Sequence, residues 1–177
     1  MQTGQYSTSQ FAGDVDTCVR KYPNESEVLR QIKPLLEKLI LSPGSVLAEA
    51  FTPRKDRFAM NLIHMPRDEM FSIIGGVWHP GQTTPIHDHL TWAIIGVYDG
   101  EEREALFRRT DDGSNTKIAK IEKVSEKINT KGHVTVLGTM VSIESTIFRE
   151  NQQRAFTSMA VILATQNDTA TTLLPER

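Results

Sequence analysis

At 177 residues the chain is long enough to bury most of its apolar surface as one domain without disulfides or a structural metal, so a metal held here would serve function. Twenty basic against 22 acidic residues give a net charge of −2, which leaves no electrostatic footprint for nucleic acid or an anionic membrane. A single cysteine, Cys18, excludes an internal disulfide; no charged leader precedes an apolar run, and no apolar stretch approaches the ~20 residues of a membrane span, so the expectation is a soluble cytoplasmic protein.

Residues 26–40, SEVLRQIKPLLEKLI, carry Val28, Leu29, Ile32, Leu35, Leu36, Leu39 and Ile40 at helical spacing. Asn24 or Ser26 can cap this helix, Pro34 is expected to kink or split it, and SPGS at 42–45 closes it. From Phe58 onward short runs rich in Ile, Val and Phe predict about eight strands: FAMNLIH, MFSIIGGVW, TWAIIGVY, REALFRR, KIAKIEKV, HVTVL, MVSIESTIF and SMAVILAT. The Asp-Gly pairs in YDGE (98–101) and DDGS (111–114) suit tight hairpins, and DDGSNTK with KIEKVSEK reads as a solvated hairpin without chemistry. The expected fold is mainly β: a small antiparallel jelly-roll barrel over about 56–165, behind a helical segment over about 8–45, in a single domain spanning 1–177 with an atypical tail at 139–177.

Two histidines, His87 and His89, lie one residue apart in PGQTTPIHDHLTWAIIGVYDG, residues 80–100. On a strand, positions i and i+2 share a face, so both imidazoles can reach one metal ion while Asp88 faces away. Asp88 and Thr91 are candidates to orient the histidines through hydrogen bonds. Trp92, like Trp78, suits the core or a pocket wall.

Gly81, His87, His89 and Gly100 form G-x5-H-x-H-x10-G, which resembles the first motif of the cupin superfamily. Where that motif places a glutamate, this chain has Ala93 or Ile94. The segment FSIIGGVWHPGQTTPIHDHLTWAIIGVYDGEERE is similar to the cysteine dioxygenase-like (thiol dioxygenase) cupins, in particular their bacterial 3-mercaptopropionate dioxygenase-like branch. The resemblance implies a cupin double-stranded β-helix and ferrous iron, Fe(2+), held by three histidines. It also implies a small thiol (cysteine or 3-mercaptopropionate) and dioxygen as partners, with a sulfinate as product. It leaves the oligomeric state open.

Downstream the resemblance breaks. The family's third histidine belongs in a G-D-I-H-R-V-x-N-like stretch where this chain reads GTMVSIESTIF, and a stretch like I-H-V-Y-G-G-D-L is replaced by AFTSMAVILA. Joining the last base of each codon to the first two of the next forces glycine at Met140–Val141 and again at Met159–Ala160. The degenerate positions permit D-D-G-I-H-R-V-N-N from Gly138 and I-H-V-Y-G-G-D-L-G-N from Ala155, the histidine of the first straddling Ser142 and Ile143. A change of reading frame near Gly138 accounts for both losses.

With the tail as it stands, Glu144 or His133 is the remaining candidate for a third ligand. Met60 occupies the pocket position where relatives place a substrate-clamping arginine, with Arg57 and Arg103 as substitutes. His64 and His79 have no partner at ligand spacing. Two alternatives stay open: a degenerate cupin acting as a non-catalytic binding or structural protein, and a cupin using another metal for isomerase or ring-opening chemistry.

Overall fold

The computed structural model describes residues 6–42, 54–87, 89, 91–112, 114 and 118–138, and the backbone of 142–147 and 156–162. The chain begins with α1 (Thr8–Lys21) and α2 (Glu25–Leu41). Ser7 starts α1 by a reciprocal capping box: its hydroxyl accepts from the Gln10 N–H at 3.2 Å, and the Gln10 side chain accepts from the Ser7 N–H at 2.8 Å. Asn24 caps α2, accepting from the Glu27 N–H at 2.9 Å. Contrary to expectation, α2 runs unbroken through Pro34. Pro34 is exposed, so the Arg30 carbonyl it leaves without an intrahelical donor can turn to water.

Eight strands follow: β1 (Ala59–His64), β2 (Ser72–Trp78), β3 (Ala93–Asp99), β4 (Glu101–Arg109), β5 (Ile121–Thr130), β6 (Val134–Leu137), β7 (Ser142–Ile147) and β8 (Phe156–Ile162). They divide into a five-stranded sheet, β1-β2-β8-β3-β6, and a three-stranded sheet, β5-β4-β7, both antiparallel. This corrects the expected jelly-roll barrel. Among the described residues each sheet has two free ends, β1 and β6 in one and β5 and β7 in the other, and neither closes on itself. The fold is mixed α/β rather than mainly β.

The helices are part of the core rather than an appendage. Of the fifteen buried residues of the main cluster, ten come from Tyr6, α1 and α2, among them Phe11, Ile32, Leu36 and Leu39; the strands contribute Ile73, Ile94 and Val134, and Phe71 and Trp92 come from the positions just before β2 and β3. Helix α2 lies so close to β3 that a Cβ at Gly96 would stand 3.1 Å from Ile40 Cδ1 and 3.2 Å from Leu36 Cδ2. With one wall covered by helices, that wall does not pack against a second sheet, as a sandwich or barrel would require.

The Asp99–Gly100 pair is not a hairpin turn. Gly100, at φ 86°, passes the chain from β3 in the larger sheet to β4 in the smaller one. Among the described residues no helix is long and apolar enough to cross a membrane.

Candidate functional site

The two histidines sit in the connection between β2 and β3. It opens with a turn at Pro80–Gly81: the His79 carbonyl accepts from the Gln82 N–H at 3.0 Å, the Gln82 side chain accepts from the His79 N–H at 2.9 Å, and Gly81 has φ 86°. His87 lies in an isolated bridge and His89 in irregular backbone, not on one continuous strand. Their rings nevertheless meet, with centroids 5.0 Å apart and planes at 87°. Thr84 and Thr91, both buried, flank the pair in the chain. Asp88 lies outside the described residues.

A hydrogen bond at His87 and burial at His89 suit the pair to metal binding. His87 Nδ1 lies 2.8 Å from the Pro85 carbonyl oxygen. A carbonyl only accepts, so Nδ1 carries the hydrogen in this contact, and Nε2 is the nitrogen left for a metal. Burial, and secondarily the charge of His87, pushes the pKa of His89 down to about 4, so this ring is neutral at physiological pH. Imidazole nitrogens suit a divalent transition metal. Among the described residues no cluster of three His, Cys, Asp or Glu side chains suited to hold a metal is found.

The proposed third ligands lie elsewhere or beyond description. His133 precedes β6, its carbonyl accepting from the Val97 N–H at 2.9 Å. Glu144 stands on β7 opposite Ala105, and its side chain lies outside the described residues. Trp92 is buried in the main core. Met60, on the edge strand β1, is 48% exposed. Arg57 is exposed beside Asp56, and Arg103 is held by Glu126 at 3.0 Å. His64 packs against the Phe71 ring, and Cys18, half-buried on α1, has its thiol pKa raised by burial.

Sequence reading missed a polar network between the sheets. Glu104 on β4 is 1% exposed, and Lys127, opposite it on β5, reaches its carboxylate at 3.1 Å. The same ammonium lies 3.2 Å from His133 Nε2 and 3.4 Å from the Thr135 hydroxyl on β6. An ammonium only donates, so Nε2 accepts from it in this contact, and burial and the Lys127 charge lower the His133 pKa. Nearby in the ladder, opposite Glu102, Asn129 is 2% exposed and neither of its amide atoms has a hydrogen-bond partner among the described residues. Lys127 falls in a stretch whose charges had suggested only solvation.

No family model matches the chain. Among solved structures it is similar to an oxalate oxidase in complex with the substrate analogue glycolate, at 16% identity over 67% of this chain and 56% of that one, with a TM-score of 0.50. It is also similar to a cupin 2 conserved barrel domain protein from Leptotrichia buccalis (15% identity, 67% and 46% coverage, TM-score 0.47). A third is a conserved protein with a double-stranded β-helix domain from Klebsiella pneumoniae (13%, 74% and 93%, TM-score 0.49). The chain thus spans about half the length of the first two. At these identities the likeness is one of fold alone.

Proposed function

We propose that His87 and His89 are two ligands of a ferrous iron site, and that the chain is a thiol dioxygenase-like protein acting on cysteine or 3-mercaptopropionate. The observation that supports this reading best is the pair of rings 5.0 Å apart, one fixed through Nδ1 to Pro85 and the other kept neutral by burial. When bound, ferrous iron supplies a centre where a thiol and dioxygen meet, with both oxygen atoms ending in a sulfinate. The Pro85 carbonyl holds His87 through Nδ1 and leaves Nε2 for the metal. Two neutral imidazoles, with Ala93 or Ile94 in place of an acid, leave the metal's positive charge for an anionic thiolate. The third ligand belongs to the tail: either Glu144, or the histidine that the other reading frame restores across Ser142 and Ile143.

A second reading, a cupin-like protein that keeps a partial metal site and does no oxygen chemistry, is favoured by the lack of a third converging ligand among the described residues. One experiment separates the two. The protein is loaded anaerobically with ferrous iron, bound metal is counted, and oxygen uptake is followed with each thiol. Stoichiometric iron and sulfinate formation support the dioxygenase; iron below stoichiometry, or iron without uptake, supports the second. Sequencing the gene past the Gly138 codon tests the frame: an early stop in the alternative frame removes that source of a third ligand.

A further inference from the structure

Strand β5 is the outer strand of the three-stranded sheet, with β4 its one neighbour among the described residues. Its far edge therefore presents backbone donors and acceptors to another strand. From Ile121 to Ile128 it reads I-E-K-V-S-E-K-I, in which each charge meets its opposite when the segment is turned end for end. Two copies paired antiparallel about a twofold axis normal to the sheet must place opposed residues on the same face. In a regular strand Glu122 and Lys127, five apart, would lie on opposite faces and the match would fail.

A β-bulge removes the conflict. Ser125 pairs with Leu106 and Lys123 with Phe107, which leaves Val124 as the extra residue. The alternation restarts beyond it, so Glu122, Ser125 and Lys127 share one face, and Ile121, Lys123, Glu126 and Ile128 share the other. The ion pairs within the chain follow this assignment. Lys123 and Arg103 both reach Glu126, at 2.6 and 3.0 Å, while Lys127 meets Glu104 and Arg108 meets Glu122 directly across the ladder. Val124 and Ile128 are 49% and 56% exposed, an apolar content that a solvated edge does not require.

We propose that β5 pairs antiparallel with β5 of a second copy of this chain, about a twofold axis through Ser125, joining two three-stranded sheets into one of six. Lys123 then opposes Glu126 of the partner subunit, Glu122 opposes Lys127 of the partner subunit, and Ile121 opposes Ile128 of the partner subunit, each contact occurring twice. Charges on an edge strand ordinarily deter strand addition, because a foreign strand leaves them unmatched. Here the self-complementary order matches every one, so the edge accepts its own copy and rejects others.

Sedimentation equilibrium of the full chain, up to about 1 mM, gives a monomer–dimer equilibrium on this proposal. Lys123→Glu alone and Glu126→Lys alone each set like charges opposite one another twice, and each is expected to weaken dimerisation about tenfold or more. An equimolar mixture of the two variants restores the dimer to within a few-fold of the parent. Within each variant the Lys123–Glu126 contact stays like-charged, so recovery on mixing reports only the contact between copies. Ser125→Cys, in a Cys18→Ser background, forms a covalent dimer under mild oxidation, because opposed Cα atoms on the axis fall in the range a disulfide spans. A monomer at every concentration overturns the proposal. So does a dimer indifferent to both charge reversals, or one that mixing fails to restore.

Discussion

His87 and His89 hold their rings at 87° to one another, centroids 5.0 Å apart, in a connection where one ring is fixed by a backbone carbonyl and the other by burial. A metal that uses both nitrogens depends on both residues. His87→Ala and His89→Ala are each expected to reduce affinity for cobalt(II), a spectroscopic stand-in for ferrous iron, by roughly 100-fold in an anaerobic titration. Affinity within threefold of the parent in either variant would remove that residue from the site.

Acid should act on the metal-free protein through His89. Its pKa is about 4 in the folded state against an ordinary value near 6.5, so the unfolded chain takes up its proton first as pH falls. Stability from this group is complete above about pH 6.5, declines as pH drops, and is fully lost below about pH 4. Urea melts between pH 7 and pH 4 should show a shallower decline for His89→Gln, which has no proton to gain, than for the parent. Parallel curves for the two proteins refute a buried neutral imidazole at this position.

Much of this was readable from local pattern. The short Ile/Val/Phe-rich runs around Ala59–His64, Ser72–Trp78 and Ala93–Asp99 marked strands, and Asn24 was one of the two caps offered for α2. Closure of a sheet is not local. Whether β6 meets β5 or ends the larger sheet depends on strands far apart in sequence, and the cover given by α2 to β3 adds no signal beyond one glycine, Gly96. Asp99–Gly100 misled for a related reason: a positive-φ glycine serves a hairpin and a crossing between sheets equally well. The histidine spacing was legible, whereas the Glu104–Lys127 pair was not, since burial of one partner appears only once β4 and β5 are paired.

Gly96 carries the helix–sheet contact. A methyl group there lands 3.1–3.2 Å from Ile40 and Leu36, both buried in the main core, so one of them must shift or leave its rotamer. Gly96→Ala is therefore expected to destabilise the fold by about 1–2 kcal/mol in denaturant melts. Ile40→Val, which removes the Cδ1 atom nearest the new methyl, should recover part of that loss when combined with it. If the double variant is as unstable as the sum of the singles, α2 does not approach β3 at this point.

The last expectation concerns Lys127, whose ammonium joins the buried Glu104 on one sheet to His133 and Thr135 on the other. Lys127→Met leaves the Glu104 carboxylate, 1% exposed, without a cation across the ladder. Removing one partner of such a pair costs about 3–5 kcal/mol when both charges are buried. Lys127 is itself 41% exposed, so solvent screening should bring the loss to about 2 kcal/mol. Glu104→Gln in the same chain removes the stranded charge and should return most of that stability, giving a strongly non-additive double-mutant cycle. Additive losses in urea melts would mean that the two side chains act independently, and that the contact between the sheets rests on apolar packing alone.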